Sequence, residues 1–246
     1  MSGHSKWATI HRQKETTDAK RGQGFTKISS AIIVAIRSGG GVTDPDKNFK
    51  LRLAIEKGRA INMPKENVER AITRAAGGGE GGGFEEITYE GYGPGGVAIM
   101  IEAATDNKNR TVQELKNIFE RGGGTLASQG AVAYQFSPKG LITVAKTGNS
   151  EETILKIIDL GVEDVEEEED AIEVYTKPEE LEQVRVKLQQ SGFEIKSFEL
   201  TMKPNTVVPI VEKDTASKVL ALMERLEEHN DVQRVFANFD IPQDYV

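Results

Sequence analysis

The hydrophobic period changes once along the chain. Up to about residue 75, apolar positions recur every three or four residues, as on one face of a helix. Phe25, Ile28, Ile32 and Ile36 form a stripe that stops at "SGGG" (38–41), where glycine can end a helix. Leu51, Ala54, Ile55 and Gly58 mark a second helix. Pro64 suits the first position of a third, with Val68, Ala71, Ile72 and Ala75 inward. The opening residues precede the first long helix, as an arm or a short extra helix. Six glycines in the seven residues 77–83 then give too much backbone freedom for helix or strand, and predict a hinge.

Past the hinge, short apolar runs alternate with helical stretches. "VAIMIEAA" (97–104) reads as a buried strand, "NRTVQELKNIFERGGG" (109–124) as a helix and "AVAYQF" (131–136) as a strand. The series from "GLITVAK" (140–146) to "FEIKSFELTM" (193–202) has the order β-α-β-β-α-β of a ferredoxin-like unit, bracketed by Pro138 and Pro204. Strand "TVVPIV" (206–211), a helix over 214–228 and "VQRVFANF" (232–239) close the chain. The outer pieces together repeat the β-α-β, β-α-β order. The fold class expected is therefore α+β and multidomain: an N-terminal three-helix bundle followed by two ferredoxin-like α+β domains, one inserted in the other. The boundaries are a basic helical domain over 1–76, a Gly-rich hinge at 77–83, a discontinuous α+β domain from 84–137 and 205–246, and an inserted domain over 138–204. Two consecutive domains divided near Pro138 would leave neither with a complete sheet.

Charge sharpens this division. The chain has 246 residues and a formal net charge of -8, yet residues 1–75 hold fifteen Lys/Arg against seven Asp/Glu, and the remainder sixteen against thirty-two. A basic lobe on an acidic protein points to an anionic partner, and a chance excess on solvated helix faces is the alternative. The opening stretch "MSGHSKWATIHRQKETTDAKRGQGFTK" concentrates the candidate contacts: His4, Lys6, Trp7, His11, Arg12, Lys14, Lys20, Arg21 and Lys27. Lysine and arginine neutralise phosphates and release counterions. Trp7 either stacks on an unpaired base or pins the arm to the bundle.

Other chemistry is sparse. Cysteine is absent, which excludes disulfides, thiolate nucleophiles and cysteine-ligated zinc. Three scattered histidines make no metal set, so no metal or cofactor is expected. No nucleophile and base stand at a telling spacing, so an enzyme is not expected, and no small-molecule substrate is evident. No apolar run approaches the roughly 18 residues of a membrane span, and no signal-peptide core opens the chain, so a cytoplasmic protein without a membrane partner is expected. "YEGYGPGG" (89–96) reads as a hairpin turn with glycine at positive φ, rather than a phosphate loop, since a strand and not a helix follows it. "TDNKNRT" (105–111) offers helix caps, with Arg110 at a helix N-terminus that could also meet an anion. "EDVEEEED" (163–170) reads as a solvated turn.

"GHSKW" (3–7), "DAKRG" (18–22), "FTK" (25–27), "YEGYGPGG" (89–96), "DNKNRT" (106–111), "GAVAYQF" (130–136) and "VFANFDI" (235–241) together resemble the YebC-like family, which includes transcriptional regulators and a mitochondrial translational activator of cytochrome c oxidase. The resemblance runs in order over nearly the whole chain. It implies a helical N-terminal domain, two α+β domains and a non-enzymatic regulator of gene expression, with DNA binding in some members and action on stalled ribosomes in others. "IHRQK" (10–14) and "RGQGFTK" (21–27) stand where the family usually has "IKHRK" and "RGKIFTK", each with one fewer positive charge. The expected function is thus a nucleic-acid-binding regulator of DNA-binding type. A ribosomal-RNA-bound translation factor relieving stalled, proline-rich synthesis is the alternative, and a protein-interaction module is the third reading.

Overall fold

The computed structural model describes residues 18–77, 84–146, 148, 150–168 and 170–245, and at residues 18–21 and 243 the backbone only. The chain folds as α+β, with an N-terminal helical region followed by two four-stranded antiparallel sheets. The expected hinge at 77–83 falls almost wholly on residues outside the description.

Three helices form the helical region: α1 (Asp18–Ser38), α2 (Phe49–Ala60) and α3 (Lys65–Ala76). The predicted stripes meet, with Ile32, Ala35 and Ile36 of α1 packed on Leu51 and Ala54 of α2 and Ala71 of α3. α1 stops where Gly40 and Gly41 take φ of 71° and 85°, a left-handed conformation that costs glycine little. Asn48 ties the first two helices together. Its side-chain oxygen caps α2 by accepting from the Leu51 amide (3.1 Å), and its side-chain amide donates to the carbonyls of Ala35 (2.9 Å) and Val42 (3.0 Å). One expectation needs correcting here. The basic residues from Asp18 onward are not an arm before the first long helix but its opening turns.

The first sheet uses β1 (Glu85–Tyr92), β2 (Ala98–Thr105) and, after helix α4 (Lys108–Arg121), β3 (Thr125–Ala127). Its last strand comes from the end of the chain, after the second sheet has been built. That second sheet contains β4 (Phe136–Ala145), β5 (Asp164–Glu167), β6 (Ala171–Thr176) and β7 (Ile195–Pro204), with helices α5 (Ser150–Ile158) and α6 (Leu181–Gln190). Then follow the short β8 (Val208–Pro209), α7 (Lys213–Glu227), β9 (Val232–Ala237) and β10 (Phe239–Asp240), of which β8 and β10 pair in parallel. The second sheet is ordered β5-β6-β4-β7 and has the predicted ferredoxin-like connectivity. The first is ordered β3-β1-β2-β9. This is the same spatial arrangement with the chain permuted: the strand that would come third stands first. Each sheet packs two helices on one face. Ile99, Ile101 and Val235 meet Leu115, Phe119, Leu222 and Met223, while Ile142, Val144 and Val174 meet Ile157, Leu181 and Leu188.

The predicted strand at 131–136 is absent. Ala133–Gln135 is a 3₁₀ turn instead, and the missing strand is β1, which forms the near side of the predicted hairpin. The cause is Glu90. Its carboxylate, only 3 % exposed, accepts the backbone amides of Gly130 (2.6 Å), Val132 (2.6 Å) and Ala133 (2.9 Å), the donors that a strand would have given to a ladder. Tyr92 Oη adds a bond to the Ala131 carbonyl at 2.9 Å. On the other face of β1, Gly91 lies beneath the Phe119 ring. A Cβ there would come within 2.6 Å of two ring carbons, so no larger residue fits without displacing Phe119.

Burial alone would raise the Glu90 carboxyl pKa, but the three amide bonds outweigh it and hold the group below its ordinary value of 4.5. A carboxyl with a depressed folded pKa stabilises the fold above its unfolded pKa, and that stability is lost as pH falls through the folded value. Glu90→Ala, which strands buried donors, is expected to lower unfolding free energy by about 3 kcal/mol in urea titrations. Glu90→Gln should flatten the loss of stability of the intact protein between about pH 5 and pH 3. Parallel acid-dependence of Glu90→Gln and the unchanged protein would show that this carboxylate does not organise the turn.

Candidate nucleic-acid interface

Successive residues of an α-helix turn by about 100°. On α1 this sets residues 25, 26, 29 and 33 opposite residues 27, 28, 31 and 34, and the two faces meet different surroundings.

The inner face packs on the sheets, against β2 and β9. Lys27 Nζ donates to the Glu227 carbonyl and Gln23 Nε2 to the Glu228 carbonyl, so both side chains satisfy the C-terminal end of α7. Burial draws the Lys27 ammonium below its usual pKa, against the pull of Glu227 and Glu228 in the other direction. Further ion pairs cross the same junction: Lys50 with Glu86 at 3.2 Å, Lys57 with Glu199 at 2.5 Å and Arg52 with Glu182 at 3.9 Å. Arg37 reaches the Phe84 carbonyl at 3.5 Å. Arg234 joins the two sheets, its Nε bonding Glu102 at 2.7 Å and its Nη1 the Leu200 carbonyl. A groove of about 200 Å³ remains at this junction, and Glu86, Glu102 and Glu199 line it. Lys50, Lys57 and Arg234 line it too and are paired with these carboxylates, so a polyanion entering there would have to break all three pairs.

The outer face is different. Phe25, Ser29 and Ile33 of α1 and Asn67, Arg70 and Arg74 of α3 enclose a cavity of about 250 Å³. Arg70 Nη2 donates to the neutral Asn67 Oδ1 at 3.1 Å, and the Arg74 guanidinium lies 5.7 Å from the centre of the Phe84 ring. Among the described residues, no carboxylate forms an ion pair with either arginine. Among the described residues, the outer face therefore carries positive charge without a carboxylate partner.

Of the residues expected to touch nucleic acid, His4, Lys6, Trp7, His11, Arg12 and Lys14 lie outside the described residues. Lys20 and Arg21 belong to the first turns of α1. Lys27 turns inward to α7, away from the outer face. Arg70 and Arg74 escape sequence reasoning. Their spacing of four on a helix, opposite the stripe of Val68, Ala71 and Ile72, is the available signal.

Other motifs serve the fold. Asn107 caps α4 by accepting from the Arg110 amide at 3.1 Å. Asp231 supplies the anion at that helix end, bonding Thr111 Oγ1 at 2.6 Å and pairing with Arg110 at 3.2 Å. Burial would raise the Asp231 pKa, and hydrogen bonds from Thr111, Arg110 and Thr105 hold it below the usual carboxylate range. His229 pairs with Glu114 at 2.7 Å. In the acidic run, Glu166 is countered by Lys203 at 2.8 Å. No helix among the described residues is long and apolar enough to cross a membrane.

Comparison with known proteins agrees with this architecture. Residues 5–78 match the model of the TACO1/YebC protein N-terminal domain, and residues 84–239 that of the TACO1/YebC second and third domain. A "probable transcriptional regulatory protein" of Moorella thermoacetica is 53% identical over 245 residues, covering 98% of this chain and 96% of that one. One of the same name from Dictyoglomus turgidum is 49% identical over 246 residues, covering 99% and 98%. The crystal structure of a conserved hypothetical protein from Aquifex aeolicus superposes with a TM-score of 0.85 at 47% identity, covering 94% of each chain.

The inward course of Lys27 generates a prediction. Lys27→Ala removes a donor from the end of α7 and is expected to lower unfolding free energy by about 1 kcal/mol. It should leave the salt dependence of nucleic-acid binding unchanged. A slope of log affinity against log salt flatter by about one unit would mean that Lys27 reaches a phosphate after all.

Proposed function

The chain belongs to the TACO1/YebC family, and we propose that it is a non-enzymatic regulator of gene expression that binds nucleic acid through the outer face of its helical region. The observation that carries this reading is the contrast between the two sides of the helical region. Inward Lys50 and Lys57 of α2 pair with carboxylates of the sheets, whereas among the described residues no carboxylate pairs with the outward Arg70 and Arg74 of α3. Lys20 and Arg21 precede the inward Lys27 and Ile28 by seven residues, the same register on α1, so the outer-face reading rests on Arg70 and Arg74 rather than on them. Phosphates need such solvated cations, and the acidic sheets repel any polyanion lying along the whole molecule within about a Debye length (8–10 Å at physiological salt).

Duplex DNA is the first target to test, because the relatives named above are called transcriptional regulators. Ribosomal RNA is the second reading. It is favoured by the concentration of positive charge in one small lobe, which can enter an RNA-lined site while the acidic sheets remain outside.

The test compares two sets of substitutions by fluorescence anisotropy over a range of salt. Arg70→Ala with Arg74→Ala should weaken binding to any nucleic-acid target. It should also flatten the salt slope by about one unit for each phosphate that the variant no longer neutralises. Lys139, Lys146 and Lys156 already pair with Glu163, Glu167 and Glu152, so their joint replacement by alanine should change little. Equal losses from both sets, with both proteins folded, would defeat the assignment.

A further inference from the structure

We infer that the cavity between α1 and α3 is a binding site for one unpaired nucleotide, so that the outer face takes single-stranded rather than fully paired nucleic acid. The inference rests on the nucleic-acid reading above and adds the form of the ligand.

Three properties of the cavity carry it. Its floor is apolar, because Ile33 and Ala71 are buried there and Phe25 offers a ring. A base is a flat apolar body with polar edges, and stacking on an aromatic ring is indifferent to which base it is. The rim supplies partners for the edges. The side-chain amide of Asn67 can donate, and its oxygen already accepts from Arg70. Thr26 and Ser29 spend their hydroxyl protons on the carbonyls of Gly22 (3.3 Å) and Phe25 (2.8 Å), which leaves their oxygens free to accept from a base. Arg70 and Arg74 then stand at the mouth with five N–H donors each, suited to a phosphate.

Position supports the assignment. The cavity opens on the side of α1 remote from the sheets, and among the described residues no carboxylate lines it. The inner groove, by contrast, is lined by three glutamates, each paired with a cation of the same groove. At about 250 Å³ the outer cavity is a recess for a small body, not a trough that would seat a double helix. A base still paired in a duplex presents only its edge and cannot reach the floor, so entry requires an unpaired or extruded nucleotide.

The experiment measures binding of the full chain, at physiological salt, to four labelled probes of equal length. They are single-stranded DNA, single-stranded RNA of the same sequence, the duplex of that DNA, and a strand lacking bases but keeping its phosphates. At least one intact single strand is expected to bind about tenfold tighter than both the duplex and the abasic strand. Whichever of the DNA and RNA strands binds tighter names the source. Ser29→Leu, which fills the cavity with a good helix former, should erase that preference and leave abasic binding unchanged. Asn67→Asp gives a second variant that is safe for folding, since a carboxylate in the first turn of α3 is favourable there. It should weaken every single strand by placing negative charge beside Arg70. Equal binding of all four probes, or an undiminished preference in both variants shown to be folded by thermal melting, overturns the nucleotide site while leaving nucleic-acid binding intact. Failure to bind any probe overturns both.

Discussion

Cations on the inner side of the helical region lie against carboxylates and helix-end carbonyls of the two sheets, and this pairing decides what the rest of the surface can do. Lys50, Lys57 and Arg52 each find a glutamate, and Lys27 and Gln23 close the end of α7. Each exposed pair contributes only about 0–1 kcal/mol, so their importance is one of orientation rather than strength. They fix which side of α1 faces the acidic sheets. The side left over is the one with Arg70, Arg74 and a recess that no carboxylate of the described residues lines. A protein of net negative charge thereby keeps a positive surface that none of its described carboxylates pairs with.

The sheets owe their local shape to buried carboxylates used in a similar way. Glu90 gathers the amides of the turn that leads from the first sheet to the second. Asp231 occupies the N-terminal end of α4 and holds Arg110 and Thr111. Asn238 does the same without charge, its oxygen accepting from the Ala98 amide at 2.8 Å and its amide reaching Gln135 at 3.0 Å. Three stretches that stand out in the sequence, at 89–96, 130–136 and 235–241, are thus drawn together by side chains satisfying backbone groups. Their prominence reflects the building of the sheet junction.

Much of this is legible in the chain because periodicity reports burial directly. Ile32, Ile36, Leu51 and Ala71 read as core and are core, and the "GPGG" turn is readable from a proline and glycine that fix φ. The β-α-β-β-α-β series is readable because each of its elements carries its own pattern. What escapes is set by partners far away in sequence. "AVAYQF" has a strand's alternation, but Glu90, some forty residues earlier, claims its amides. Lys27 looks like one more cation of a basic tract until α7, two hundred residues on, presents its carbonyls. Arg70 and Arg74 add to the charge of the first lobe without standing out as a site, because a recess between two helices has no signature within either one.

Hydrogen–deuterium exchange of the full chain, with and without a saturating single-stranded oligonucleotide, tests the placement of nucleic acid most directly. Slowed exchange in residues 25–33 and 67–74, with residues 50–57 and the β7 strand unchanged, is the expected result. Slowed exchange confined to the sheets or to the inner groove, with the outer faces of α1 and α3 unaffected, would contradict it.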